Sequence, residues 1–421
     1  MAEQINIKQF FTPSIGGVGS NLVSKTKGDR VIWGIVVILT MVSLLAVYSS
    51  TGSLAYKYSK STESYLFKQS AFIILGVLII YFAHRVNYTI YSRVAKLLFL
   101  ISIPLLIYTY FFGTRLNEGN RWIMLPVINM TFQTSDMAKL ALFMYLSRQL
   151  SRKQSVIKDF KLGFLPVFLP VALICLLIAP ANLSTAMLIA GTSFMLMFIG
   201  RIATRHILLT AGIVLLPVVL LLAIAVKYYD KASHQEKELP AVLNIGRVPT
   251  WVGRIQTFLY SNKEDENEKL YQINQSKIAI ANGGWLGRGP GRSEQRNFLP
   301  HSYSDFIYAI IIEEYGLLGA GFMVFVYLLF LYRCIRLYRK CPFAFGAFLA
   351  LALSFTLVIQ AFANMGVAVG AFPNTGVTLP LVSMGGSSFL FTCLSIGIIL
   401  SVARNVEQLE GEKEVVGSKM S

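Results

Sequence analysis

YQINQSKIAIANGGWLGRGPGRSEQRNFLPHSYSDFIYAIIIEEYGLLG, Tyr271–Gly319, is the least uniform stretch of the chain. A long polar segment precedes it, and an apolar run begins at Asp305. Between them Gly283, Gly284, Gly287, Gly289 and Gly291 are interleaved with Arg288, Arg292 and Arg296. Glycine lets backbone approach a ligand closely and reach positive φ. The planar arginine fork matches phosphate oxygens two at a time. One acid, Asp305, stands where the polar loop meets the apolar run. Together these describe a site for a phosphorylated substrate at a membrane surface. The plainer alternative is a solvated loop before an ordinary helix start, with Asp305 as a cap favoured by the helix dipole. Buried near Arg296 or Lys277, the same carboxylate would be tuned for proton transfer.

Working outward, composition sets the class. The chain has 421 residues, of which 55% are hydrophobic and only 14% charged. Its mean hydropathy is +0.59. That is too apolar for a soluble domain and describes a polytopic membrane protein. The formal net charge is +17. Much of it falls in short loops between apolar runs, so the positive-inside rule accounts for it and nucleic acid is not an expected partner. Cys175, Cys334, Cys341 and Cys393 match neither a disulfide framework nor metal-ligand spacing. Residues 1–30 read as a polar tail, not as a cleavable signal.

A helix needs roughly 20 apolar residues to cross a bilayer. Ten such runs are legible: Val31–Ser50, Phe67–Ala83, Lys96–Gly113, Met137–Leu150, Phe164–Pro180, Leu183–Gly200, Ile207–Val226, Asp305–Phe330, Phe343–Met365 and Ser383–Val402. With ten spans, the basic clusters at Lys25–Arg30, Arg85–Arg93, Arg148–Lys161, Arg201–Arg205 and Arg333–Lys340 all fall on one side. That side is the cytoplasm, and both termini share it. The expected fold is therefore all-α and polytopic, with about ten transmembrane helices. The membrane domain covers residues 31–402, with a large extracytoplasmic loop at 227–304 between spans seven and eight. A short cytoplasmic tail follows at 403–421. Within the loop, SNKEDENEK reads as a mobile turn, and Ile273, Ile278 and Ile280 give Tyr271–Asn282 helical spacing along the membrane surface.

Three further groups carry chemistry. In Arg115–Asp136, Arg121 and Trp122 suit either ligand contact or an interfacial anchor. Asp136 and Lys139 are three apart and share a helix face; an intramembrane lysine faces a partner or a cavity. Pro373–Ser388, PNTGVTLPLVSMGGSS, breaks the apolar pattern, and its Thr375, Ser383, Ser387 and Ser388 suit a cavity lining better than a plain turn. Glu313 and Glu314, inside span eight, need partners; they point to different helix faces, and one is expected to pair with Lys139.

Four segments in this order resemble the SEDS family of proteins for shape, elongation, division and sporulation. They are GNRWI at Gly119–Ile123, QSKIAIANGGWLGRGPG at Gln275–Gly291, LPHSYSDFIYAIIIEEYGLLG at Leu299–Gly319 and NTGVTLPLVSMGGSS at Asn374–Ser388. The likeness runs from about Val31 to Arg404, and the tails and the last segment look more like the division branch than the elongation branch. The resemblance implies a peptidoglycan glycosyltransferase that polymerises lipid II, with Asp305 catalytic. It implies a class B penicillin-binding protein transpeptidase and other division proteins as partners, in the cell membrane at the septum. On this reading Arg121, Lys139, Lys277, Arg288 and Arg292 offset the leaving pyrophosphate, and Ser387 lines the cavity. Trp122, Asp136, Gly284, Glu313 and Glu314 support them. A divalent cation, Mg2+ or Mn2+, would add to that charge, with no metal site made by the protein alone. A lipid II flippase and a non-catalytic division scaffold are the rival readings.

Two departures from the family pattern matter. The usual QPSE is QTSD at Gln133–Asp136, one methylene shorter at the acid. The usual PDLGTA is ANLSTA at Ala181–Ala186, with Asn182 in place of the acid. Asparagine neither ionises nor takes a proton, which puts direct proton transfer at 182 in doubt.

Overall fold

The computed structural model describes residues 28–52, 62–116, 119–125, 130–230, 235–236, 240, 244, 247–260 and 268–420. Among them are twelve α-helices, a three-stranded antiparallel sheet and a two-residue β pair. The helices are α1 (Arg30–Ser50), α2 (Thr62–Arg85), α3 (Tyr88–Phe112), α4 (Thr134–Arg152), α5 (Leu165–Ile178), α6 (Leu183–Ile199) and α7 (Thr204–Lys227). They continue as α8 (Val248–Leu259), α9 (Glu268–Gly283), α10 (Ile307–Lys340), α11 (Ala344–Ala368) and α12 (Ser387–Met420). Strands β1 (Thr114–Leu116), β2 (Gly119–Leu125) and β3 (Met130–Gln133) join α3 to α4.

Ten of these helices correspond to the ten apolar runs. Eight helices are long and apolar enough to cross a membrane. The other two runs are α6, a shorter apolar helix, and α4, which carries Asp136 and Lys139. Local chemistry sets several starts. The Asp29 carboxylate accepts from the N–H of Val31 at 2.9 Å and caps α1. Asn87 does the same for α3 through Thr89, and Asn182 for α6 through Thr185. So the residue that departs from the family acid is a buried helix cap here.

Burial orders the bundle. Helix α11 is mostly apolar and 89% buried over its most apolar stretch, which makes it the core helix. It packs against α4, α6, α10 and α12. Helix α7 is only 11% buried over the same kind of stretch and presents Leu208, Leu209, Ile213, Leu216 and Val219 outward. In a membrane those side chains meet lipid, so their exposure carries no penalty.

The structure changes several expectations. Within Arg115–Asp136, expected as an external loop, the described residues contribute the strands of the sheet, with Trp122 paired to Gln133 and Ile123 to Phe132. The polar stretch after α7 contains α8, whose Val252 and Gln256 are buried; it packs beside α7. Most of SNKEDENEK lies outside the described residues, as does the N-terminal tail before Gly28. The helix expected after Tyr271 is present as α9, which packs against α10; of the three isoleucines in its spacing Ile273 is buried, Ile280 half-buried and Ile278 exposed. Residues 403–420 continue α12 as helix where a separate tail was expected.

Candidate functional site

The glycine-rich loop is a fitted insert in a broken helix. Helix α10 is interrupted at Gly316, with φ 68° and ψ −168°. Into that break the loop inserts its backbone. The N–H groups of Arg288 and Gly289 donate to the carbonyls of Glu313 and Glu314, each at 2.9 Å, and Leu317 donates back to Gly284 at 2.9 Å. A Cβ on Gly283, Gly287 or Gly316 would overlap the carbonyl oxygen of Ile312, Glu314 or Trp285 respectively. These glycines are required by backbone contact within the protein, not by a ligand. Gly284, at φ +53°, faces open space.

The two glutamates of the break hold the loop from both sides. Glu313, fully buried, accepts from the Ser293 hydroxyl and from the N–H groups of Glu294 and Gln295 at 3.2 and 3.3 Å. Glu314 accepts from the Ser49 hydroxyl at the end of α1. Arg296 donates to the carbonyls of Ser49 and Gly291, at 3.1 and 3.0 Å. The expected pairing of one glutamate with Lys139 is therefore wrong. Lys139 lies 3.2 Å from Asp136, the i,i+3 pair seen in the spacing, and donates to Gln360 at 2.9 Å. Side chains one turn apart on α4 reach each other, whereas Glu313 and Glu314 are consumed by the loop beside their own helix.

Asp305 stands in a turn just ahead of α10. The helix begins at Ile307 with Phe306 as its N-cap and no side-chain cap bond, so Asp305 is not a cap. The turn contains His301 at φ +58°, a left-handed conformation uncommon outside glycine. The carbonyls of three successive residues are tied down. Tyr303 accepts from the Met384 N–H at 3.0 Å, Ser304 from the Ser383 hydroxyl at 2.6 Å, and Asp305 from the Asn364 amide at 2.8 Å. Burial pushes the Asp305 carboxyl up from its ordinary range, while His301, the Ser304 hydroxyl, Arg121 and Arg254 pull it back. The side chains that act on its charge are thus His301, Arg121 and Arg254, where Arg296 or Lys277 was expected.

Arg121, 9% exposed, is fixed by donating its Nε–H to the Ala181 carbonyl at 2.9 Å, with its guanidinium 6.0 Å from the Trp122 ring centroid. Arg254 reaches across from α8 to the Asn374 carbonyl at 3.1 Å. Sequence reading missed Arg254; the signal was the apolar spacing of Val248, Val252 and Ile255 around it. Gly376 lies between Asp305 and Arg121 and also lines a polar cleft with Asp136, Lys139, Asn182, Gln360 and Ser388. Ser387 accepts from the Gln133 N–H at 3.0 Å, joining α12 to β3 beside that cleft.

The other expected cations lie elsewhere. Arg288 binds Glu294 at 2.6 Å, and Arg292 is exposed beside Gly289. Lys277 is exposed on α9 against Gly370. Among the described residues no group of three or more His, Cys, Asp or Glu side chains could hold a metal ion. The donor set at Asp305 is one carboxylate and one imidazole, which makes no cage by itself.

The comparisons with known proteins agree with this layout. Residues 29–408 match the FtsW/RodA/SpoVE family model, described as a cell cycle protein. The chain is 32% identical over 391 residues to a "Probable peptidoglycan glycosyltransferase FtsW" of Geobacter metallireducens, covering 92% of this chain and 97% of the relative. It is 30% identical to "Stage V sporulation protein E" of Bacillus subtilis, covering 90% and 98%. Among solved structures, it superposes with TM-score 0.68 and 24% identity on a chain from "Structural coordination of polymerization and crosslinking by a peptidoglycan synthase complex", covering 90% and 99%. A Thermus thermophilus RodA crystal structure gives TM-score 0.61 at 21% identity, covering 90% and 97%. These two likenesses speak to the fold, a multi-pass helical membrane bundle. With its matched span, its relatives and its four motifs in order, the chain belongs to the FtsW/RodA/SpoVE family of cell cycle proteins.

Proposed function

We propose that this chain is a peptidoglycan glycosyltransferase that polymerises lipid II during cell division, with Asp305 as its general base. The observation that carries this reading is the place of Asp305. Its carboxylate sits in a pinned turn beside Arg121 and Arg254, and Gly376, which lines a polar cleft, stands next to it. Burial favours its neutral form, so as a base it holds a proton more firmly than an ordinary carboxylate.

In the reaction, Asp305 takes the proton of the acceptor's GlcNAc 4-hydroxyl. That oxygen bonds to the anomeric carbon of the growing chain, the bond from that carbon to pyrophosphate oxygen breaks, and undecaprenyl pyrophosphate leaves with the electron pair. Arg121 and Arg254 stand nearest to offset the departing charge, with Lys139 inside the cleft. Lys277, Arg288 and Arg292 act further out, where substrate approaches. A divalent cation, Mg2+ or Mn2+, would have to come with the substrate and would add positive charge opposite the leaving group.

The polyprenyl tail stays in lipid against the outer faces of the bundle. Ten spans with both termini cytoplasmic would put the Asp305 turn outside, with basic clusters such as Arg333–Lys340 inside. The partner would be a class B penicillin-binding protein transpeptidase at the division septum, with other division proteins. A flippase would use the same cleft without making a bond, and a scaffold would need no base. Lipid II supplied in detergent leaves no membrane to cross. Glycan strands formed by purified protein with its transpeptidase support the enzyme; their absence supports a rival.

A further inference from the structure

Two amide side chains one turn apart on α11 have no part in the reaction scheme. Gln360 donates its Nε2–H to the Thr378 carbonyl at 3.0 Å, and Asn364 donates its Nδ2–H to the Val377 carbonyl at 2.7 Å. They grip successive carbonyls of the irregular segment between α11 and α12. Each has a second partner. Gln360 Oε1 accepts from Lys139, which also meets Asp136. The other Asn364 N–H goes to the carbonyl of Asp305. The result is a continuous polar path from Asp136 through Lys139, Gln360, the Thr378–Val377 backbone and Asn364 to the Asp305 turn. Gly376, next along the gripped segment, borders the Asp305 carboxylate and Arg121.

Both amides are buried, and their N–H groups make these contacts. Gln360 is 5% exposed and Asn364 1%. Buried amides are costly unless they are hydrogen-bonded, and nonpolar residues would fill a core helix at less risk. We propose that Gln360 and Asn364 are positioning residues for the transfer reaction, locking the Val377–Thr378 backbone, the Asp305 turn and the Lys139–Asp136 pair into one body. The proposal rests on Asp305 as the base. It extends that reading by naming what keeps the carboxylate beside Arg121. A displacement of about 1 Å at a reacting group costs on the order of 100-fold in rate.

The test uses neutral, similarly sized replacements in the full-length protein with its transpeptidase. Asn364→Leu is expected to lower kcat for lipid II polymerisation about 10–100-fold with little change in KM. The acidic limb of its rate profile should move to higher pH, because the carboxylate loses its place beside His301, Arg121 and Arg254. Gln360→Met, the milder change, should show the same pattern more weakly. The double variant should lose less than the product of the two single losses, since both act on one segment. Amide exchange at Met384, whose N–H binds the Tyr303 carbonyl, reads the same lock without turnover and should rise about tenfold in Asn364→Leu. Failure of the parent to polymerise lipid II would remove the proposed function and leave the exchange result to decide the lock. Unchanged exchange, or variants that only lose thermal stability while keeping kcat and pH profile per folded molecule, would overturn the positioning role.

Discussion

Asp305 and Arg121 meet across Gly376. A Cβ on Gly376 would stand 3.7 Å from the aspartate Oδ2 and 3.9 Å from the arginine Nη1. The glycine also sits at φ +62°. Alanine would fit the space but strain the backbone by about 1–2 kcal/mol. Valine would add methyls toward both charged groups. Gly376→Ala should lower the melting temperature by a few degrees and keep partial polymerisation. Gly376→Val should remove polymerisation, measured as glycan length from lipid II.

Burial favours the neutral acid of Asp305, so the folded chain holds that proton more tightly than the unfolded chain. Stability from this group is fully present below the ordinary carboxylate pKa and is lost as pH rises through the raised folded value. Asp305→Asn should therefore melt above the parent at neutral pH, with the gap closing toward about pH 4. In the active enzyme, the acidic limb should lie above the ordinary carboxylate range. Arg254→Gln removes a charge that favours the ionised form and should move that limb further up.

Gly287 and Gly316 interlock, each with positive φ and each with backbone of the other segment where a Cβ would go. No side chain can retreat from such a contact, so alanine at either position must move main chain. Each substitution should cost about 2 kcal/mol or more, read as a lower melting temperature in detergent. Gly284→Ala, with open space around it but φ +53°, should cost about half as much.

How far this was legible follows from range along the chain. The apolar runs mark their helices because burial in lipid or core needs only local composition, as at Val31–Ser50 against the observed Arg30–Ser50. Asp136 and Lys139 were visible because three residues make nearly one helical turn. Asn364 and Asp305 are 59 positions apart, and no spacing announces an amide that will find a carbonyl there. Arg254 was hidden because its helix lies in a charged stretch that looked like loop. Charge alone points one glutamate toward Lys139, whereas backbone N–H groups and serine hydroxyls nearby satisfy both.

Glu313 accepts from one hydroxyl and two backbone N–H groups. Glutamine there would turn an amide donor toward donors. Glu313→Gln should cost about 1–3 kcal/mol. Ser293→Ala should cost less and couple to it in a double-mutant cycle. Lys139→Met should show no coupling to Glu313→Gln, because the two belong to separate networks.

The most direct measurement is single-variant chemistry at residue 305. Purified Asp305→Asn, assembled with its transpeptidase and given lipid II in detergent, keeps the size of the side chain and removes its basicity. A catalytic Asp305 requires polymerisation to fall on the order of 100–10,000-fold while the protein stays folded. Glycan strands made by that variant at the parent rate would contradict it.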